Sequence, residues 1–202
     1  MSDSLITKKA IAASIKELMK KRPLQKISVA DIVEHCGINR QTFYYHFKDK
    51  YDLVDWIYYN EVVSAVTQHR SFEEWNNVVL DVLKTMKNEQ YFYTNALSVT
   101  GQNAFQDYFF NVTKDLIAEM LDTVSQGSQI AAEDKVFIAE FYSYGLVGVV
   151  IQWARCGMKQ QPEEIVLRLT HFIDDSKLYT AGRYFQEHPA EKKANITESN
   201  LN

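Results

Sequence analysis

Between Ser28 and Phe47 the chain has room for little except two short helices joined by a tight turn. Ser28 stands three residues before Asp31, the spacing of a variant capping box, and Ile32 and Val33 supply the apolar positions of the helix it opens. Gly37, within Cys36-Gly37-Ile38, stops that helix. Asn39 is placed to cap a third helix reaching about Phe47, after which Lys48-Asp49-Lys50 breaks it. On a helical wheel Phe43 and Phe47 fall side by side and point into a small core. Gln41 and Tyr45 fall on the opposite side, with Thr42 and Tyr44 on the flanks. Two helices joined by a glycine turn, the second carrying polar and aromatic groups on its free face, form a helix-turn-helix.

The chemistry of that face suits a nucleic-acid groove. Glutamine at Gln41 can bond the adenine edge through two hydrogen bonds, Arg40 can do the same to guanine, and the rings of Tyr44 and Tyr45 offer apolar contact to thymine methyls and hydroxyls to phosphate. Ser28, Asn39, Thr42, His46, Lys48 and Lys50 complete the candidate DNA-binding set, lying at helix starts or where a duplex backbone would pass. Charge supports this placement. The chain carries a formal net charge of −4, which alone would argue against a polyanion, but residues 1–50 hold ten Lys and Arg against five acids, or +5, and the remainder is −9. A basic end on an acidic body presents one face to a polyanion and repels it from the rest.

Only 7 Gly and 3 Pro punctuate 202 residues, too few for the turns of a sandwich or barrel, so the fold class is all-α. Ile11, Ile15, Leu18 and Met19 mark a first helix over about residues 6–21, and a longer fourth helix is expected from the break at Lys50 to about Gln68. Further helices are expected at about 72–88, 90–98, 104–124, 133–157 and 162–184, the last with Pro162 in a favoured first-turn position. The organisation read from this pattern is a DNA-binding domain over 1–50, a helical regulatory and dimerisation domain over 51–186, and a polar, disordered tail over 187–202. No unbroken apolar run approaches the roughly 20 residues needed to span a bilayer, no secretory signal precedes the first helix, and two cysteines, Cys36 and Cys156, fit free thiols in a reducing cytoplasm.

The segments Ser28-Val-Ala-Asp-Ile32-Val33, Cys36-Gly37-Ile38-Asn39-Arg40 and Thr42-Phe43-Tyr44-Tyr45-His46-Phe47, with Lys50 and Leu53, resemble the signature of the TetR family of bacterial transcription regulators. Cys36 stands where that family more often has alanine. The resemblance covers about the first 55 residues. It implies an all-helical homodimer of nine or so helices, with a DNA-binding head and a regulatory body, acting on a palindromic operator. A looser likeness, through Tyr142-Ser-Tyr-Gly145-Leu146-Val-Gly148, Trp153, Gly157-Met158 and Pro162-Glu163-Glu164, is similar to the branch that regulates dihydroxyacetone kinase operons. That branch implies an activator answering to a kinase-related protein partner. A repressor released by a small-molecule effector is the alternative.

Gly145 and Gly148 on one helix would let another helix approach closely. With Trp153, Ile165, Leu169, Phe172 and Ile173 they form a candidate four-helix dimer seam, intrachain packing being the other reading. Tyr93, Phe105, Tyr108, Phe109, Phe137 and Phe141 are candidates for an effector cavity, although aromatics at helical spacing also make ordinary core. The five histidines lack HxxxH or HExxH spacing and the cysteines lack CxxC, so neither a metal nor another cofactor is expected. Phosphate-cradling, dinucleotide and nucleophile-elbow motifs are absent, which leaves no recognised catalytic site. The remaining class, a helical interaction adaptor without DNA binding, would make the Arg40 to Lys50 segment dispensable.

Overall fold

Ile11, Ile15, Leu18 and Met19 line one face of α1 (Asp3–Met19), and all four are buried. The computed structural model describes residues 3–64, 75–101, 104–124 and 131–173, and among these there is helix, turn and loop but no strand. After α1, Pro23 precedes a single 3-10 turn, Leu24–Lys26, which helical periodicity does not foreshadow. Then come α2 (Val29–Cys36) and α3 (Arg40–His46). Leu24, Ile27, Ile32, Phe43, Phe47 and Leu53 are each at most 2% exposed. At about 1.5–3 kcal/mol for each fully buried large apolar side chain, this small core holds the head together. Phe47 extends it to Trp56 (5.7 Å between ring centroids), and the Lys8 ammonium lies 5.5 and 5.7 Å from the two ring centres.

Asp49 caps α4 (Lys50–Tyr58), its carboxylate accepting from the backbone N–H of Tyr51 at 2.8 Å and Asp52 at 2.9 Å. The connector is not regular helix throughout. It widens into a π-helical stretch, Tyr59–Val63, where Asn60 Nδ2 donates to Trp56 O and Ser64 Oγ to Asn60 O, so side chains meet carbonyls that the wider turn displaces. The expected continuation to Gln68 and the start of the next helix lie outside the described residues.

Beyond the connector follow α5 (Trp75–Asn88), α6 (Gln90–Ser98), α7 (Phe105–Val124) and α8 (Ala132–Arg155), close to the expected segments. α7 and α8 pack along each other, and α6 touches α1, α7 and α8. Tyr58, on α4, meets Phe105 and Phe109 of α7 edge-on, at 5.3 and 5.5 Å between centroids. By length and apolarity α8 could cross a membrane, which counting unbroken apolar runs did not detect. Its apolarity has two sources: Ala139, Val147, Val150 and Ala154 form a buried face, and a second, aromatic face is exposed.

The residues fall into two compact units, one running to Gln160 and one beginning at Gln161. In the second, a helix α9 spans 162–173 of the described residues, and Thr170 Oγ1 donates to Val166 O at 2.9 Å. Its expected extension to 184 and the tail from 187 lie outside the described residues.

Candidate nucleic-acid interface

The turn between α2 and α3 is fixed by local bonds. Ser28 Oγ accepts from the Asp31 N–H (3.2 Å), and Asp31 Oδ2 accepts from the Ser28 N–H (2.7 Å) and hydroxyl (2.6 Å), a complete capping box. Those two bonds from Ser28, with the Arg22 guanidinium at 2.9 Å from the other oxygen, hold the Asp31 carboxyl down to about 2. Gly37 closes α2 at φ 73°, a left-handed geometry that a side chain would strain. Asn39 Oδ1 then accepts from both the N–H (2.7 Å) and hydroxyl (3.0 Å) of Thr42 to start α3. Behind α2, the buried Ser14 hydroxyl donates to Ile32 O at 3.0 Å, so its lone pair faces the Nδ1 of His35, also at 3.0 Å, and assigns the proton to that nitrogen.

α3 thereby has one sealed face and one free face. Phe43 is fully buried, whereas Tyr44 is 56% and Tyr45 81% exposed. Arg40, Gln41 and Lys48 are exposed too, with Thr42 and His46 half-buried at the edges. An 81% exposed tyrosine contributes little to the core, and its exposure leaves an aromatic body and a hydroxyl for a partner. Cys36 and Ile38 are half-buried under the turn, and burial pushes the Cys36 thiol pKa up, so it behaves as an inert small apolar residue.

Lys50 departs from its expected role. Its Nζ donates to Leu24 O (2.8 Å), Gln25 O (3.1 Å) and Ile27 O (2.7 Å), so all three ammonium protons are spent within the chain on the turn before α2. Lys50 braces the head from behind and has no proton left for a phosphate. Ser28 is exposed, but its hydroxyl proton already serves Asp31, so its contribution at a duplex backbone would run through the N–H groups of the helix start.

Asn95, half-buried on α6, was not singled out by its spacing. Its Oδ1 accepts from the Leu24 N–H at 2.7 Å while its Nδ2 donates to Met19 O at 3.2 Å and Arg22 O at 3.0 Å. The only sequence signal is a poor helix former inside a helical run.

The expected dimer seam separates into two sets. Gly145 and Gly148 are exposed, and a Cβ built on either meets nothing within 4 Å. They share the exposed face of α8 with Phe137 (69%), Phe141 (60%) and Tyr144 (69%). Trp153, by contrast, is buried and donates its indole N–H to Gln160 O at 3.0 Å. It packs within its own chain, as the opposite face of α8 requires. Ile165 is also buried in the single chain, Leu169 and Ile173 are half-buried, and Phe172 is exposed.

The aromatic candidates for an effector cavity divide likewise. Tyr93, Phe105 and Phe109 are buried and Tyr108 half-buried around Tyr58, whereas Phe137 and Phe141 belong to the exposed face and line nothing with them. The Tyr93 hydroxyl is buried without a hydrogen-bond partner among the described residues, and burial drives its pKa well up. A shallow cavity of about 300 Å³ lies where α4 meets α7, lined by Lys48, Asp49, Asp52, Asp55, Asp107 and Tyr108 among others. Within it burial, then Asp52 and Asp49, raise Asp55 to about 7. Among the described residues no group of three or more His, Cys, Asp or Glu is arranged to hold a metal ion.

Comparison with known proteins accords with this geometry. The profile described as bacterial regulatory proteins, tetR family, matches residues 11–57, and that described as transcriptional regulator C-terminal region matches residues 73–175. The chain is 28% identical over 151 residues to the HTH-type dhaKLM operon transcriptional activator DhaS of Lactococcus lactis subsp. lactis (strain IL1403), covering 74% of this chain and 80% of that protein. The solved structure of a dihydroxyacetone kinase operon activator DhaS superposes with a TM-score of 0.66 at 23% identity, over 85% of this chain and 96% of that one. NalD, the secondary repressor of the MexAB-OprM multidrug efflux pump in Pseudomonas aeruginosa, follows at 0.56 and 18%, over 84% and 95%. With its head and body matched in turn, the chain belongs to the TetR family and is a transcriptional regulator rather than an enzyme.

Proposed function

We propose that this regulator works in the cytoplasm as a homodimer that sets its two α3 helices in successive major grooves of a partly palindromic operator. Regulators of this family bind DNA and dimerise. The observation that carries the reading is the free face of α3, where Arg40, Gln41, Tyr44 and Tyr45 stand exposed on a helix whose other face is locked by Phe43. Half-sites one helical turn apart, about 34–36 Å, would suit such a pair. The second copy would cover the exposed stripe of α8, where Phe137, Phe141 and Tyr144 flank two glycines that admit close approach. Lys48 and the helix starts at Ser28 and Asn39 would meet phosphates, each neutralised phosphate steepening the salt dependence by about 0.9 in the log-log slope.

The regulated genes, on the likeness to the activator DhaS, are those of a dihydroxyacetone kinase operon, and the signal is a kinase-related protein acting on the body. Such a partner must distinguish two arrangements of the connector from α4 through the π-helical stretch, since only differential affinity shifts a population. Deleting the gene and measuring operon transcripts tests this: activation requires them to fall, and a rise would establish a repressor. The repressor reading keeps a specific support in the Tyr93 hydroxyl, unpartnered among the described residues, which a small polar effector could engage.

A further inference from the structure

α1 ends without a capping glycine, and the chain turns through Pro23, which has no N–H to offer. Carbonyls at a helix end need partners. Here the partner for Met19 O and Arg22 O is one side chain more than seventy positions away, which also takes the Leu24 N–H. Serving an N–H and two carbonyls at once requires an acceptor and an NH₂ on one short side chain, which is what asparagine provides. The network also fixes the amide's orientation, because turning it over would set NH₂ against N–H and oxygen against two oxygens.

α6 is held at its other end as well. Gln90 Nε2 donates to Gly157 O at 3.0 Å, in the turn that follows α8, and just before α6 Lys87 Nζ reaches Gln160 O at 3.4 Å. A nine-residue helix about 13 Å long thus links the turn after α8 to the turn that precedes α2. The other brace on that turn, Lys50, comes from α4, at the start of the connector that leads out of the head.

We propose that Asn95 is a positioning residue: it clasps the head to the body through α6 and so sets the separation of the two reading heads. The inference rests on the DNA-reading dimer proposed above. Loss of the clasp leaves α3 and its base contacts intact but lets the head pivot about Lys50, so tolerance of half-site spacing widens while base preference stays.

The test uses the full chain and duplexes carrying the repeat that the wild type selects, with one or two base pairs added or removed between half-sites. Asn95→Asp keeps the volume and the acceptor for Leu24 N–H but turns a carboxylate toward two carbonyls, and Asn95→Ala removes all three bonds. In both, discrimination between the best spacing and a one-base-pair insertion should fall by about tenfold, within the range of coupling between sites. Half-site sequence preference should not change. Unchanged discrimination in both variants would overturn the proposal, and so would a uniform loss at every spacing that tracks a lowered melting temperature, the mark of a merely structural role. A wild type that selects no repeat would instead overturn the dimer reading. Hydrogen exchange then decides the clasp itself: the Leu24 amide should exchange faster in Asn95→Ala with α3 protection unchanged, and equal exchange would refute it.

Discussion

The helices that read DNA in the head and the α6 helix of the body are pinned by polar bonds of different reach. In the head Ser28 pairs with Asp31, Asn39 with Thr42, and Asp49 with Tyr51 and Asp52, each within three residues. In the body the bonds that matter join Asn95 to Leu24, Gln90 to Gly157 and Lys87 to Gln160, each across more than sixty residues. Saturation differs too. Among the described residues, the buried side-chain atoms without a partner are Asp55 Oδ1, Tyr93 OH and Thr94 Oγ1, on α4 and α6 rather than on α2 or α3. A fully satisfied network specifies one arrangement, whereas an unsatisfied group makes its surroundings easier to shift. On this contrast the head is expected to act as a rigid reader and the body to be the part that shifts.

The sharpest way to break this contrast is to set a sealed residue of α3 against a free one. Phe43→Ala should cost about 3–5 kcal/mol of stability, measured by urea unfolding, because it empties the centre of a small core. Tyr45→Ala should leave stability within about 0.5 kcal/mol and weaken operator binding by about 1–3 kcal/mol. If Tyr45→Ala instead unfolded the head, its exposed ring would have to be doing structural work. Arg40→Ala belongs to the same class, and normal affinity with normal base preference in both variants would contradict the groove assignment.

Much of this head was legible because its instructions are local. A cap three residues from its partner, a glycine at a left-handed turn and a phenylalanine pair one helical turn apart can all be read along the chain. Lys50 shows the limit of local reading: its charge is visible in sequence, but the three carbonyls it serves lie 23 to 26 positions away. Trp153, about 160° around α8 from Phe137, packs within its own chain, and only the fold shows which face of that helix the rest of the chain covers. Among the described residues, the partners of the Asn95 side chain all lie more than seventy positions away.

Asp55 sharpens the comparison from the junction between the regions. Burial and two neighbouring carboxylates raise it from 3.8 to about 7, so between those values the folded chain holds a proton that the unfolded chain releases. Stability therefore falls as pH rises from about 4 to about 7 and the loss is complete above that. Asp55→Asn should be more stable than the wild type at pH 8 by about 1–2 kcal/mol, a figure reduced for the group's partial exposure, and should match it near pH 4. Thermal melts at both values check this, and an equal difference at both would contradict it.

Tyr93→Phe removes a buried hydroxyl that has no partner among the described residues and should be neutral or stabilising by about 1 kcal/mol. A loss of more than that on chemical denaturation would mean that the hydroxyl is bonded in solution and that the body is as saturated as the head.

The central claim, a rigid α3 face read out in pairs, is tested most directly by selecting bound duplexes from random DNA with the purified full chain at moderate salt and sequencing them. The account predicts enrichment of one inverted repeat with half-sites about one helical turn apart. Enrichment of a single unpaired site, or of no sequence, would contradict it.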